Sequence, residues 1–241
     1  MNKSISLLLL VHNEIDTIEN EIVQINKFLS NNSNSELVIV QDGSSDGTYE
    51  KLNELKAKYN FILNSLKKRR GYTQAFIDGV NSCSGNTILF SDSGGKYDFQ
   101  NIQRFLNIFK LKNLDLLAGF RVKRKDKFLR RFLSFFYSKL CNILFWNNFK
   151  DLDCGFKVFD KSKLLLILKN YKFTKSLLTS QLFIHFIKKK WNIYQLPIEY
   201  LETKDRKSRG LPMSKILIIV IVSITNLFKI KLNLNKMSDL D

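Results

Sequence analysis

Ile5-Ser6-Leu7-Leu8-Leu9-Leu10-Val11, followed at once by His12-Asn13-Glu14, is the stretch on which the reading of this 241-residue chain turns. A run of strand length with hardly a polar residue in it buries both of its faces, as strands do in a parallel sheet. The polar triplet ends it with no small-residue cleavage site, so the run reads as a first strand and not as a signal peptide. Residues 14–30 then place Ile15, Ile18, Ile22, Ile25 and Leu29 at helical spacing, which predicts an amphipathic helix. Leu37–Val40 reads as a second buried strand, and Asp42-Gly43-Ser44-Ser45-Asp46-Gly47 as a tight polar turn before a helix over 48–58. Phe61–Leu63 is a third strand, Ala75–Val80 a helix, and Thr87–Phe90 a further buried strand that stops at Ser91-Asp92. Strand and helix alternate, with polar residues collected just after the strands. This predicts an α/β protein with a doubly wound, mostly parallel central sheet flanked by helices. Ligands of such sheets lie outside the carboxyl ends of the strands, which nominates His12–Glu14, Gln41–Asp46 and Asp92–Asp98.

Farther along, Leu116–Gly119 reads as one more strand. Arg121, Lys123, Arg124, Lys125, Lys127, Arg130 and Arg131 then make a basic segment. Phe132, Phe135, Phe136, Tyr137, Phe145, Trp146 and Phe149 follow, either as a path for an apolar chain or as core, the commoner fate of such residues. Residues 162–190 read as helical, and Ile193–Leu196 as a late strand. Residues 216–228 are almost wholly apolar, but as a helix they span about 20 Å, short of the roughly 30 Å hydrocarbon layer. A buried or interfacial helix is therefore expected there. The division expected is one domain over 1–215 and an apolar segment with a polar tail over 216–241.

The net charge of +17, from 39 Lys+Arg and 22 Asp+Glu, favours anionic partners: nucleic acid, anionic lipid or phosphorylated substrates. No nucleic-acid motif accompanies the charge, so nucleic acid is not an expected partner. Cys83, Cys141 and Cys154 are odd in number and hold no CxxC pair, which argues against a disulfide framework or zinc site and fits a reducing cytoplasm.

Five segments taken in order are more specific. Val11-His12-Asn13-Glu14 with Gln41-Asp42-Gly43-Ser44-Ser45-Asp46-Gly47-Thr48, then Arg70-Gly71-Tyr72-Thr73-Gln74-Ala75, then Phe90-Ser91-Asp92-Ser93-Gly94-Gly95-Lys96-Tyr97-Asp98, then Gly119-Phe120-Arg121, and Asp151-Leu152-Asp153-Cys154-Gly155-Phe156-Lys157 resemble the inverting family 2 glycosyltransferases. Within that family they resemble the dolichol-phosphate mannose synthase branch, which transfers sugars to polyprenyl phosphates. The match runs from about residue 4 to residue 215.

The resemblance implies a GT-A fold whose donor is a nucleotide diphosphate sugar and whose acceptor is a polyprenyl phosphate or a glycan. The basic segment and the apolar run 216–228 point to work at a membrane surface, peripheral on the cytoplasmic face. The resemblance implies that Asn13, Glu14 and Asp42 meet the nucleoside, and that Arg70 and Gly71 at a helix start favour phosphate. An arginine of a mobile loop, Arg206 or Arg209, would close on the diphosphate; we assign Arg209. Arg121, and Arg130 with Ser134 one helical turn on, are the acceptor-phosphate candidates. Asp153 would orient the sugar or the acceptor. At 92–98 the family usually presents Asp-x-Asp and then a Gln to hold Mg²⁺ or Mn²⁺ at the diphosphate. Here Asp92 keeps the first position, Gly94 replaces the second Asp and Lys96 stands where Gln is frequent. Two readings stay open: Lys96 neutralises the leaving diphosphate in the cation's stead, or a metal is used through Asp92 and the diphosphate alone. A silent sugar-nucleotide or lipid-phosphate binder is the alternative to an enzyme.

Overall fold

The computed structural model describes residues 4–122, 128–174, 177–201, 222 and 224–232. The elements in chain order are β1 (Ile5–Val11), α1 (Ile18–Ser30), β2 (Ser35–Asp42), α2 (Thr48–Lys56), β3 (Ile62–Leu66), α3 (Tyr72–Ser82) and β4 (Thr87–Asp92). They continue with α4 (Asn101–Leu111), β5 (Leu116–Val122), α5 (Phe128–Phe145), β6 (Phe156–Asp160), α6 (Lys161–Asn170), α7 (Leu178–Lys188) and β7 (Ile193–Glu199).

Seven strands form one sheet in the order β3-β2-β1-β4-β6-β5-β7. β3, β2, β1 and β4 are parallel, β7 is parallel to β5, and β6 alone runs against its neighbours β4 and β5. The doubly wound half expected from the alternation is therefore present.

Because side chains alternate across a strand, the apolar run of β1 feeds two cores at once. Leu8 and Leu10 pack with Val38, Val40, Phe76 and Phe183 on one face. Leu7, Leu9 and Val11 pack with Ile18, Ile22, Ile25, Leu52 and Phe105 on the other. Burying one such side chain contributes about 1.5–3 kcal/mol, so both faces hold the central strands rigid.

One expectation is corrected. Residues 162–190 are not one helix: α6 ends at Asn170 and α7 begins at Leu178. The extended Tyr171 stacks on His185 at 3.9 Å and Phe173 meets the same ring edge-on, a packing that a continuous helix would prevent. The aromatic stretch divides as well. Tyr137, Phe145 and Phe149 pack on the core, whereas Phe132, Phe135, Phe136 and Trp146 are exposed.

The strand β6 and the helix α4 complete the sheet and its cover; neither was among the expected elements, although Ile102, Phe105, Leu106 and Phe109 stand at helical spacing. Of the apolar segment 216–228, residues 224–228 lie in a helical stretch over 224–232 that buries Leu227 and Ile230 in the core. Among the described residues no helix is long and apolar enough to cross a membrane.

Candidate active site

Register brings the three nominated segments to one edge. Val11 stands opposite Gln41 and Leu10 opposite Asp92, so β1, β2 and β4 end together. The reversed β6 starts at that same edge, with Phe156 opposite Ser91. Its direction is what delivers the preceding segment, Asp151–Gly155, to the carboxyl ends of the parallel strands.

The end of β1 is laced to the turn after β2. The Asn13 amide N–H donates to Ser44 Oγ at 3.0 Å, and Asn13 Oδ1 accepts from the Ser45 N–H at 2.8 Å. The Glu14 N–H donates to Thr48 Oγ1 at 2.8 Å. Asn13 takes a left-handed φ of 58°, which asparagine tolerates well. Its side chain is thus spent on shaping the loop after β2.

Asp42 is buried and its two oxygens accept backbone N–H groups, Arg70 at 2.6 Å and Gly71 at 2.9 Å. The start of α3, expected to favour a phosphate, is occupied by the protein's own carboxylate. The physical reason is the same one that would draw a phosphate: unpaired amides and the helix dipole attract an anion. The Arg70 guanidinium turns back to Asp78, 3.0 Å away.

Asp92 closes β4. Its Oδ1 accepts from the Tyr72 hydroxyl at 2.7 Å. Burial, followed by the charge of Asp92, holds the Tyr72 hydroxyl well above its usual range, so it remains a donor. The Asp92 carboxylate also lies flat against Gly155: a Cβ there would sit 2.0 Å from Oδ2. The Gly155 N–H in turn donates to the Tyr97 hydroxyl at 3.0 Å.

Asp153 Oδ1 accepts from Thr179 Oγ1 at 2.5 Å and Ser180 Oγ at 3.3 Å, at the start of α7. Under this loop, the ammonium of the fully buried Lys157 donates to the carbonyls of Leu152 and Cys154. Burial lowers the Lys157 pKa, against the opposing pull of Cys154, Asp151, Asp153 and Asp92. Cys154 is itself buried, and burial pushes its thiol up to about 11, which suits a packing role and not a nucleophile.

Arg121 is tied to Asp151 by two parallel bonds, Nε to Oδ2 at 2.7 Å and Nη2 to Oδ1 at 3.0 Å. Burial opposes ionisation of Asp151, but the Arg121 charge outweighs it and holds the carboxyl below its usual range. The arginine expected to grip an acceptor phosphate thus commits one edge of its fork to an internal partner. Arg130 and Ser134 lie in α5, with side chains outside the described residues, as Arg206 and Arg209 are entirely.

The metal expectation meets the segment 92–96 directly. Gly94 and Gly95 both take left-handed φ angles, 102° and 64°. A Cβ at Gly94 would stand 3.0 Å from Glu14 Oε1, so a side chain there would have to push the Glu14 carboxylate aside. Among the described residues no three carboxylate, imidazole or thiolate groups converge as a metal-holding set. The residues present therefore do not fit a protein-held Mg²⁺ or Mn²⁺, which needs several hard oxygen ligands. Asp92 is drawn toward Tyr72 and Gly155, and no described ion pair joins it to Lys96.

Five residues at this edge went unassigned in the sequence. Tyr72 and Lys157 sat unremarked inside motifs that were quoted. Thr179 and Ser180 belong to the start of a helix that had not been separated from its predecessor. Glu21 had a readable signal: it shares the buried face of α1 with Ile18, Ile22 and Ile25. A carboxylate on an apolar stripe needs a reason.

Several known proteins resemble this chain. A dolichyl-phosphate beta-glucosyltransferase of Trichomonas vaginalis is 24% identical over 210 residues, covering 82% of this chain and 64% of the relative. A dodecaprenyl-phosphate galacturonate synthase of Rhizobium johnstonii is 28% identical over 130 residues, 53% of this chain and 38% of the relative. The chain thus spans less than two thirds of the length of these curated relatives. Among solved structures, glucosyl-3-phosphoglycerate synthase from Mycobacterium tuberculosis, in complex with Mn²⁺, UDP and phosphoglyceric acid, superposes with a TM-score of 0.74. It does so at 16% identity, over 95% of this chain and 78% of that one. The fold is GT-A. The family model for glycosyl transferase family 2 matches residues 6–166, a span that includes Asp42, Asp92 and Asp153, and the chain belongs to that family.

Proposed function

We propose that the protein transfers a sugar, with inversion, from a nucleotide diphosphate sugar to a polyprenyl phosphate. The observation that carries this reading is that Asp92 and Asp153 both lie close enough to Tyr72 and Lys157 to act on them at one sheet edge. Relatives named for dolichyl and dodecaprenyl phosphates supply the acceptor class.

In this reading the nucleoside lies over the ends of β1 and β2, beside Asn13, Glu14 and Asp42. An acceptor phosphate oxygen attacks the anomeric carbon from the side opposite the diphosphate. The bond from that carbon to the diphosphate oxygen breaks, and its electron pair leaves with the nucleoside diphosphate. An acceptor phosphate is already anionic, so the step needs no base; Asp153 orients the sugar. Lys96 neutralises part of the charge that grows on the diphosphate, with Arg209 as its loop-borne partner. Positioning and charge compensation supply the acceleration. The free edge of Arg121, with Arg130 and Ser134, receives the acceptor phosphate.

The exposed Phe132, Phe135 and Phe136 of α5, beside the basic segment 121–131, are the surface that meets an anionic membrane from its cytoplasmic side.

The test is a panel of uridine- and guanosine-diphosphate sugars with a short-chain polyprenyl phosphate, each in Mn²⁺ and in excess chelator. Transfer in chelator is the expected result and supports Lys96 in the cation's place. Loss of transfer in chelator, restored by Mn²⁺, would sink that assignment. Donor binding without transfer in any condition would favour a silent binder, the reading to which the incomplete ligand set also points.

A further inference from the structure

Glu21 is 2% exposed, yet it sits on the α1 face that packs on the sheet. Its Oε1 accepts the Gly95 N–H at 2.7 Å. Its Oε2 is buried and has no hydrogen-bond partner among the described residues. A leucine on that stripe would pack at no such cost, because a buried carboxyl oxygen without a partner is unfavourable. The group it holds is the left-handed Gly94–Gly95 turn, which separates Asp92 from Lys96.

We infer that Glu21 is a positioning residue for the donor diphosphate: it fixes the Gly94–Gly95 turn from below and so sets where Lys96 presents its charge. The inference rests on the reading of this edge as a nucleotide-sugar cradle. Glu21 gives up stability for that placement, as functional groups in buried sites commonly do.

The charged groups that face Glu21 are Glu14 and Lys96. Burial pushes its carboxyl up to about 7, the N–H groups of Gly95 and Gly94 pull it down, Glu14 raises it and Lys96 lowers it. Above neutrality an ionised Glu21 offsets part of the Lys96 charge. Below neutrality it is neutral, and the lysine field on the diphosphate is unopposed. Donor affinity therefore rises as pH falls through this range.

Glu21→Met and Glu21→Gln, made in the full chain, separate the roles. Donor dissociation constants are measured by calorimetry with UDP-glucose, and with whichever panel member the wild type prefers, from pH 6 to 8.5, beside Tm. Glu21→Met removes the acceptor and relieves the orphaned oxygen; Tm is expected to stay level or rise while donor binding weakens about tenfold. Glu21→Gln keeps a carbonyl for the Gly95 N–H. It is expected to match the wild type at pH 6, and to bind a few-fold tighter than the wild type at pH 8.5, with a flat profile.

A fall in Tm for both variants with unchanged donor binding assigns Glu21 a purely structural role and overturns the inference. So does a Glu21→Gln profile that tracks the wild type's. If the wild type binds no nucleotide sugar, the proposed function fails and takes this inference with it; wild-type binding with indifferent variants removes the inference alone.

Discussion

At the scale of single residues, the site is decided by very close approaches. Gly155 lets the Asp92 carboxylate lie against its Cα, where a methyl would be 2.0 Å from Oδ2. Gly155→Ala is expected to displace Asp92 from Tyr72, lowering kcat at least about a hundredfold while costing about 1–3 kcal/mol of stability. Steady-state kinetics beside thermal melts check this, and kcat within threefold of the wild type would refute it. Asp42 offers a second case. Both its oxygens accept backbone N–H groups, so Asp42→Asn turns an amide NH₂ toward one of them. A loss of about 1–3 kcal/mol is expected, with weakened donor binding, read by urea unfolding and donor titration. Neither contact was legible in the sequence. Asp42 was identified as a ligand of the nucleoside, and its grip on Arg70 and Gly71 depends on a loop 28 positions away.

At the scale of elements, α7 carries a buried histidine and α5 an exposed aromatic face. His185 is 3% exposed, both ring nitrogens lack partners among the described residues, and it stacks on Tyr171. Burial, aided by Lys189, lowers its pKa from 6.5 to about 4. Above pH 6.5 the ring is neutral folded or unfolded, so it imposes no pH-dependent cost. As pH falls from 6.5 toward 4, only the unfolded chain takes up the proton and stability drains away. Near pH 5 the loss is about 1–2 kcal/mol, and His185→Phe should remove that share of the decline. Melting both proteins from pH 7.5 to 4.5 tests it; parallel curves would refute the assignment.

On α5, Phe135 is 61% and Phe136 59% exposed, and Phe132 follows at 47%. Replacing all three by Ser is expected to weaken binding to anionic vesicles about tenfold or more with little change in Tm, as surface side chains should. Vesicle sedimentation reads the first and calorimetry the second. Equal sedimentation of the two proteins would move the membrane contact elsewhere.

For the whole molecule, one sheet with two cores ties the parallel strands β3, β2, β1 and β4 to β6, β5 and β7. Phe90 packs edge-on with Phe76 at 5.0 Å and with Tyr72 at 6.3 Å, directly beneath the Tyr72–Asp92 contact. Phe90→Ala should cost about 3–5 kcal/mol and impair activity through Tyr72, a coupling that melts and kinetics at a permissive temperature would register. The sequence by itself determined the parallel half of the sheet and the edge at which chemistry collects. It could do so because apolar runs, helical spacing and turn residues are local patterns that burial enforces. Only the resemblance to family 2 glycosyltransferases marked Gly94 and Lys96 as departures from the usual metal-holding segment. The tertiary structure alone decided the rest. It reversed β6, so that Asp153 arrives beside Asp92; it paired Arg121 with Asp151; and it set Glu21 of α1 beneath a turn 74 positions later. Those contacts join segments far apart in the chain, and no local periodicity records which distant partner a buried charge will find.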